Sequence, residues 1–208
     1  MTKFKLVSFD MDGTLIFKKS SYLYFARSHG SYKKHLEIEK DFAGGKITLN
    51  QAYRRAVKLF TGVSKSEFLK FYNSMPKMHY IKFVVRKLKE KGLKVLIVST
   101  GPKFIAEFFQ KEFGFHKVVG SEHDFTGNVF NGKVRIFHEK DKVKFLKAYC
   151  KKNQIKLSEC IAVGDSISDV PVFKEVGFSI ALNADKNLEQ ASVHLKTRDL
   201  RKILKYVK

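Results

Sequence analysis

Cysteine is scarce in this sequence, which contains only two cysteines in 208 residues. Cys150 and Cys160 do not match the spacing of a metal-binding motif, and two cysteines are too few for a disulfide framework. Cys150 ends a helix-like pattern and Cys160 begins an apolar segment. Both are therefore predicted to be packing residues of a protein that works in a reducing compartment.

Long apolar segments are missing as well. Lys3 and Lys5 lead directly into the first predicted strand, so the apolar core of a secretion signal, about 7–15 residues long, is not found. No run approaches the ~20 apolar residues of a membrane-spanning helix. We expect a cytoplasmic protein without a membrane partner, whose 208 residues form one domain with an inserted subdomain.

Acidic residues are also few, because 20 aspartates and glutamates face 41 lysines and arginines and leave a net charge of +21. Such a charge attracts polyanions and steers anionic substrates. The lysines are nevertheless scattered, as in residues 87–91, and no block of like charge stands apart. The pattern favours a solvated basic surface. A nucleic-acid partner remains open but is not favoured.

Apolar segments of strand length alternate with helix-like segments over most of the chain. Continuous apolar strands that alternate with helices are typical of a parallel sheet covered by helices on both faces. The sequence therefore predicts an α/β fold with a doubly wound parallel sheet. The predicted strands are residues 5–9, 95–99, 118–119, 161–163 and 179–182, and the predicted helices are residues 81–91, 104–113, 143–152, 170–176 and 199–207.

Residues 17–76 interrupt this alternation, because they lack a strong buried strand and show four helical patterns. We predict that they form a helical cap subdomain, inserted into a core made of residues 1–16 and 77–208. A second irregular segment, residues 124–137, contains Asn131-Gly132 between apolar stretches. This dipeptide is a strong signal for a two-residue turn, so the segment is predicted to be a β-hairpin flap.

Two aspartates directly follow the first predicted strand. Asp10 and Asp12 flank Met11 and precede Gly13, where a buried strand gives way to a loop. This arrangement suits a carboxylate nucleophile with an acid/base partner beside it, provided that a cation neutralises the crowded negative charge. Taken alone, the motif also fits a solvated acidic turn. A calcium loop of the EF-hand type is excluded, because the closing glutamate and the preceding helix are missing.

Polar residues also end two further strands, and ligands of open α/β sheets bind beyond such strand ends. Ser99-Thr100-Gly101 offers a hydroxyl and backbone N–H groups before a helix, which suits a phosphate, although a plain capping turn gives the same pattern. Asp165 can share a cation with Asp10, and Asp169 lies about one helical turn further on. The alternative is a pair of acids that interact with a helix dipole. Lys142 opens a helix after the hairpin and has basic neighbours, so its position alone is not distinctive.

Taken together, these residues resemble the haloacid dehalogenase superfamily, in particular its phosphoserine phosphatase-like members. The resemblance extends over nearly the whole chain and includes the helical insertion and the hairpin, which implies a Rossmann-like core. The ordered motifs that carry it are Asp10-x-Asp12-Gly13-Thr14, Ser99-Thr100-Gly101, Lys142 and Gly164-Asp165-x-x-x-Asp169.

The resemblance implies a role for each motif residue. Asp10 matches the nucleophile that becomes an aspartyl-phosphate, Asp12 matches the acid/base whose main-chain carbonyl also binds the metal, and Lys142 matches the catalytic lysine. A phosphate dianion near ionised Asp10 meets a repulsion of roughly 4 kcal/mol per charge pair, which Mg²⁺ and Lys142 would cancel. The implied phosphate-binding residues are Met11, Ser99, Thr100 and Gly101, and the implied Mg²⁺ ligands are Asp10, Asp12, Asp165 and Asp169.

The predicted cap departs from the pattern of phosphoserine phosphatases. These enzymes read the ammonium of serine with an acid and the carboxylate with an arginine, but the matching positions here are Lys19 and Ala56. We therefore predict a phosphomonoester other than phosphoserine, with an additional negative group that suits Lys19, Arg54 or Arg55. A one-residue shift of the alignment would instead make Arg55 the carboxylate partner. Ser168 stands where asparagine is usual, and the cap residues Tyr22, Tyr24, Phe25 and Tyr53 are predicted to be core residues.

The predicted function is a Mg²⁺-dependent phosphomonoester phosphatase that acts on a small phosphorylated substrate as a monomer or homodimer. Asp12 supports phosphoryl chemistry, because dehalogenase relatives lack the second acid of the first motif. A phosphomutase of the same superfamily remains an alternative, since it would keep the aspartyl-phosphate and transfer it to a sugar. A basic nucleic-acid-binding protein with a vestigial core is disfavoured, because four carboxylates would repel a phosphate backbone in the cleft.

Overall fold

The computed structural model describes residues 4–17, 20–184 and 188–207, and a seven-stranded sheet lies at its centre. The strand order is β6-β5-β4-β1-β7-β8-β9, and every neighbouring pair is parallel except β5 and β6. The strands of this sheet are β1 (Leu6–Phe9), β4 (Lys94–Pro102), β5 (Lys117–Thr126), β6 (Val129–Arg135), β7 (Cys160–Gly164), β8 (Phe178–Leu182) and β9 (Val193–Leu195). Two short strands, β2 (Asp12–Gly13) and β3 (Ile16–Phe17), pair separately.

Apolar side chains cover both faces of the sheet. On β1, Val7 and Phe9 belong to one apolar layer and Leu6 belongs to the other, as the alternation of a strand requires. Helices α5 and α6 pack on the first layer, and α7 and α8 pack on the second. The predicted α/β fold with a helix-covered parallel sheet is therefore confirmed. These helices are α5 (Ile81–Glu90), α6 (Lys103–Phe113), α7 (Glu139–Lys152) and α8 (Val170–Phe173).

Four helices lie between β3 and α5, and we call them the four-helix insertion. They are α1 (Ser21–Ser28), α2 (Tyr32–Ala43), α3 (Leu49–Lys58) and α4 (Lys65–Ser74). The chain enters and leaves this insertion side by side, because the Phe17 N–H donates to the Pro76 carbonyl over 2.7 Å. Among the described residues, no helix combines the length and the apolar character needed to cross a membrane.

The hairpin turn lies at Gly127-Asn128, so the turn predicted at Asn131-Gly132 is wrong. Strand β5 continues to Thr126, which pairs with Val129 across the turn. Gly127 has a φ of 60°, which suits the first central position of a type II′ turn. Asn131 lies within β6 and donates across the strand pair to Asp124 over 2.9 Å. Gly132 is needed for other reasons, since its φ of 84° is left-handed and a Cβ there would lie 2.6 Å from the Thr61 Oγ1.

The hairpin is joined to the four-helix insertion through the backbone. The Gly62 N–H donates to the Phe130 carbonyl, and the Phe130 N–H donates to the Val63 carbonyl, each over 2.9 Å. Aromatic packing extends this contact to the core, because the rings of Phe68 and Phe104 have centroids 4.7 Å apart. Hairpin, insertion and α6 therefore share one apolar interface.

Candidate active site

Asp10 and Asp12 lie beyond the carboxyl end of the central strand β1. The Asp10 N–H donates to the Val163 carbonyl of β7 over 2.8 Å, which continues the sheet by one residue. Asp12 is oriented by the first helix of the insertion, because the N–H and the hydroxyl of Ser21 donate to its two carboxylate oxygens over 3.0 and 3.1 Å. The loop thus directs two acids into one cavity, and each acid is held by a different part of the structure.

Asp165 and Asp169 follow the neighbouring strand β7. The Thr14 hydroxyl donates to Asp165 Oδ1 over 3.0 Å, so the two loops are connected. Asp169 Oδ2 accepts from the Asp165 N–H over 3.1 Å and thereby holds the turn that follows the strand. This turn is a short 3₁₀ helix, Ile167–Asp169, at the edge of the cavity.

Gly13 allows the first loop to approach Asp165. Its φ is 80°, and a Cβ at this position would overlap the Asp165 carboxylate. A side chain in this left-handed region costs of the order of 1–3 kcal/mol even without a clash. We therefore expect Gly13→Ala to lower the free energy of unfolding by at least about 2 kcal/mol and to displace Asp165.

Gly30→Ala is the matched control for this prediction, because Gly30 also has a positive φ of 75° but has nothing within 4 Å of its added Cβ. Chemical denaturation measures the stability of both variants. A Mg²⁺ titration with the melting temperature as readout measures how each substitution changes the Mg²⁺ affinity of the acids. Equal losses in the two variants, with unchanged Mg²⁺ affinity, would contradict the close approach of Gly13 to Asp165.

Lys142 connects the two acidic loops. Its side chain is 1% exposed, and Nζ lies 3.0 Å from Asp10 Oδ1 and 2.8 Å from Asp169 Oδ1. Nζ also donates to the Ser168 hydroxyl over 3.2 Å. Helix α7 presents this residue from the second face of the sheet, beside the buried Leu146. A lysine that is indistinct in the sequence is thus the centre of the buried charge cluster.

The end of β4 completes the cavity. Ser99 is buried and its hydroxyl accepts from the Gly101 N–H over 3.1 Å, while Thr100 and Gly101 line the cavity wall. The Met11 side chain is fully buried in the core, and Met11 is not among the residues that line the cavity. The space between the strand ends, which we call the acid pocket, has a volume of about 340 Å³. Its walls include Asp10, Asp12, Tyr22, Tyr53, Thr100, Gly101, Asp165 and Ser168.

Negative charge exceeds positive charge in this pocket. Burial raises the pKa of Asp10 to about 6 against the opposing effect of Lys142. Burial and the charge of Asp10 raise the pKa of Asp12 to about 7. Burial and the charges of Asp10 and Asp169 raise the pKa of Asp165 to about 8. Burial alone would lower the pKa of Lys142, but the two carboxylates beside it raise it above its usual value.

The same acids fit a divalent cation. Carboxylate oxygens of Asp10, Asp165 and Asp169 all lie within 4.8 Å of one another. Hard cations such as Mg²⁺ prefer oxygen ligands of this kind. Burial is the main cause of the raised pKa values of Asp10 and Asp165, and repulsion between the neighbouring carboxylates adds to it. The donor set is therefore suited to a divalent cation, and Mg²⁺ is the ion that the sequence predicts.

We expect Mg²⁺ to stabilise the protein more strongly near pH 8 than near pH 5. The pKa of Asp165 rises from 3.8 to about 8 on folding, so the folded state holds a proton that the unfolded chain has lost. Stability without metal therefore falls as the pH rises from about 4 to about 8, and a cation that replaces the proton removes this loss. Melting temperatures with and without Mg²⁺, at matched ionic strength, measure the difference. A Mg²⁺ effect that does not depend on pH would contradict the prediction.

The arginines predicted to contact the substrate lie elsewhere. Arg54 and Arg55 are exposed on α3, and Arg55 Nη1 lies 3.8 Å from Asp41 Oδ2 on α2. The helix turns them outward because its other face buries Ala56 and Val57. Neither arginine is among the residues that line the acid pocket, and their predicted contact with the substrate stays a prediction. Lys19, the third predicted contact, lies outside the described residues.

Tyr22 belongs to the apolar core and Tyr53 packs against it, as the sequence predicted, and both residues also line the acid pocket. Their hydroxyl oxygens lie 2.8 Å apart, and the Tyr22 oxygen is also 2.8 Å from Nε2 of His123 on β5. Helical periodicity places Tyr53 on the buried face of α3, but it does not distinguish a cavity wall from a packed core. Only the tertiary structure distinguishes the two, through the contact of Tyr22 with His123 of the hairpin.

Comparisons with known proteins agree with this geometry. A model of the haloacid dehalogenase-like hydrolase family matches residues 7–174. A phosphoserine phosphatase of Methanocaldococcus jannaschii is 28% identical over 99% of both chains. A phosphoserine phosphatase of Streptococcus thermophilus is 29% identical over 96% of this chain and 94% of the relative. A solved structure of a phospho-aspartyl intermediate analogue of phosphoserine phosphatase has a TM-score of 0.85, 28% identity and 99% coverage of both chains.

The central strands of this parallel sheet end in a cluster of acids that a buried lysine connects. Ligands of open α/β sheets bind at such strand ends, so the fold and the site are those of an enzyme. The chain belongs to the haloacid dehalogenase-like hydrolase family. The superfamily predicted from the motifs and the predicted enzyme class, a hydrolase, are thereby confirmed.

Proposed function

We propose that this protein is a Mg²⁺-dependent phosphomonoester phosphatase that works through a covalent aspartyl-phosphate on Asp10. The proposal rests on one observation, which is that two acids in the same pocket are held by different residues. Asp10 is bound by Lys142 over 3.0 Å, whereas Asp12 is held by Ser21 of the four-helix insertion. One acid is therefore placed to attack and the other is placed to transfer a proton.

Asp10 is the proposed nucleophile. Its pKa of about 6 leaves it mostly ionised at neutral pH, as attack on phosphorus requires. Lys142 holds one carboxylate oxygen and would also neutralise an incoming phosphate. The proposed phosphate contacts are the Ser99 hydroxyl and the backbone of Thr100, with Gly101 and the Met11 backbone beside them.

Asp12 is the proposed acid and base. Its pKa of about 7 allows both protonation states near neutral pH, which suits a group that first donates and then accepts a proton. It would protonate the leaving alcohol as Asp10 attacks. It would then take a proton from the water that hydrolyses the aspartyl-phosphate, which returns both acids to their starting states.

The carboxylates of Asp10, Asp165 and Asp169 would hold the cation, with the Asp12 main-chain carbonyl that the resemblance adds. When bound, Mg²⁺ would supply positive charge against the phosphate oxygens. The proposal also includes residues 17–76 as a cap over the core formed by residues 1–16 and 77–208. Tyr22 and Tyr53 would then exclude bulk water from the reacting groups.

The proposed substrate is a small phosphomonoester other than phosphoserine. The relatives named above are phosphoserine phosphatases, but Lys19 and Ala56 replace the acid and the arginine expected for recognition of serine. Ala56 is buried and cannot contact a carboxylate with its methyl group. The sequence similarity therefore supports the reaction more strongly than the particular ester.

A phosphate-release assay tests the function directly. We expect a panel of phosphate esters to release inorganic phosphate with Mg²⁺ and to stop doing so when the metal is chelated. Transfer of the phosphoryl group to a sugar without release would instead identify a phosphomutase. Salt-sensitive nucleic-acid retention without Mg²⁺-dependent turnover of any ester would refute the proposal and favour the binding protein.

A further inference from the structure

A second cavity adjoins the acid pocket. It lies between the start of α3 at Asn50, the segment of residues 136–140 before and within α7, and the turn at residues 166–168, and we call it the side chamber. Tyr53, Thr100 and Ser168 belong to the walls of both cavities. The two spaces therefore meet beside the acids, and the exposed residues Asn50 and Lys140 place the mouth of the chamber at the surface.

The size of the chamber is the first indication of its ligand. Its volume is about 600 Å³, compared with about 340 Å³ for the acid pocket. The chamber is partly open to solvent, so this volume is an upper limit on the size of the ligand that it encloses. A three-carbon alcohol such as serine would leave most of this space solvated. A leaving group of about hexose size would fill it far better.

The charges of the chamber wall balance each other. Glu139 and Lys140 are the charged side chains among the described residues that form its wall outside the acid pocket, and they have opposite signs. His138 and Asn50 add an imidazole and an amide. Such a wall offers hydrogen bonds without a net attraction for an ammonium or a carboxylate. It suits an uncharged group that carries several hydroxyls.

Tyr53 adds a hydrogen-bond acceptor at the junction. His123 Nδ1 lies 3.1 Å from the Ser121 carbonyl, which can only accept, so Nδ1 carries the proton and Nε2 accepts from Tyr22. The Tyr22 oxygen then accepts from Tyr53 over 2.8 Å. The Tyr53 oxygen also lies 3.3 Å from the Thr100 carbonyl, a second acceptor for its proton. The hydroxyl proton of Tyr53 is therefore used within the protein, and its oxygen can accept from a ligand. Burial keeps these hydrogen-bonded side chains uncharged, because it raises the pKa of Tyr53 to about 12 and lowers that of His123 to about 4.

We infer that the leaving group of the substrate is an uncharged polyol of about hexose size, bound in the side chamber with a hydroxyl directed at Tyr53. The inference rests on the proposed phosphatase function and deepens it by naming the substrate class. It differs from the sequence prediction of an additional negative group that suits Lys19, Arg54 or Arg55. The two arginines lie outside both cavities, and Lys19 lies outside the described residues.

Four esters that differ in size and charge test the substrate class. They are phosphoserine, glycerol 3-phosphate, a hexose 6-phosphate and 6-phosphogluconate, with acetyl phosphate as a reference that does not need the chamber. We expect kcat/KM for the hexose phosphate to exceed that of each other ester by roughly tenfold or more. Equal or better turnover of phosphoserine, glycerol 3-phosphate or 6-phosphogluconate would overturn the inference. Failure to hydrolyse acetyl phosphate and all four esters would instead overturn the phosphatase function, and the inference with it.

A substitution that fills the side chamber tests whether the leaving group binds there. Asn50→Trp places a ring at the chamber mouth, and we expect it to raise KM for the hexose phosphate by roughly tenfold more than it changes KM for acetyl phosphate. Lys58→Trp is the matched control, because it adds the same ring to an exposed position two turns further along α3. Unchanged KM in Asn50→Trp, or an equal loss with acetyl phosphate, would overturn the assignment of the chamber.

Discussion

Replacing Asp10 with asparagine is expected to lower phosphate release by roughly 10⁴-fold or more while the fold survives. The amide has the size of the carboxylate but cannot attack phosphorus to form an acyl phosphate. Lys142 keeps its contact with Asp169 over 2.8 Å, so the buried ammonium remains paired. Burial opposes ionisation of Asp10, hence the variant without metal should be at least as stable as the natural protein.

The matched control for this prediction is Asp124→Asn, which makes the same chemical change at an exposed position of β5. Phosphate release from the most active ester measures both variants, and thermal unfolding verifies that both are folded. Beryllium fluoride, which mimics an aspartyl-phosphate, should bind to the natural protein and to Asp124→Asn but not to Asp10→Asn. A rate near that of the natural protein in Asp10→Asn would exclude Asp10 as the nucleophile.

Replacing Lys142 with methionine is expected to reduce both activity and stability. Its removal leaves the buried carboxylates of Asp10 and Asp169 without their shared cation. Loss of one partner from a buried ion pair costs about 3–5 kcal/mol, and loss of charge stabilisation lowers turnover by roughly 10²–10³-fold. The loss of stability without metal should be larger near pH 8 than near pH 5, because protonation relieves the repulsion between the acids.

Lys147→Met is the control for the lysine, because Lys147 lies on the same helix and its ion pair with Glu175 is half-exposed. Exposed pairs contribute little to stability, so this variant should unfold at nearly the same denaturant concentration as the natural protein. Denaturation at both pH values and the phosphate-release rate compare the two variants. Similar behaviour of Lys142→Met and Lys147→Met would show that α7 does not supply a charge to the site.

The ordered motifs made part of this site predictable. Asp10 and Asp165 end apolar runs, and parallel strands bring their carboxyl ends to one edge of a sheet, so a meeting of these acids follows from the pattern. Lys142 could not be selected from its own surroundings in a lysine-rich helix. Lys142 was chosen because it occupies the place of the lysine in the ordered family motifs. The structure shows that it is buried and connects two acids.

Residues of the insertion were harder to predict, because a helical period reports which face is buried but not what buries it. Arg54 and Arg55 have the charge for anion recognition, yet α3 turns them to the surface and to Asp41. Tyr53 has the signature of a packing residue, yet it lines the acid pocket. The hairpin turn was misplaced for a related reason, since Gly132 is required by the approach of Thr61 and not by a turn.

The amino-acid pattern by itself determined the alternation of most strands and helices, the acids at the strand ends and the superfamily, whereas the edge strand β9 was not predicted. These features depend on local periodicity and on short motifs, which a linear sequence records directly. Only the tertiary structure decided which residues of the four-helix insertion enter the cavity, where the hairpin turns and that a side chamber adjoins the acids. Each of these depends on contacts between segments far apart in the chain, as between His123 on β5 and Tyr22 on α1, whose geometry no local pattern contains.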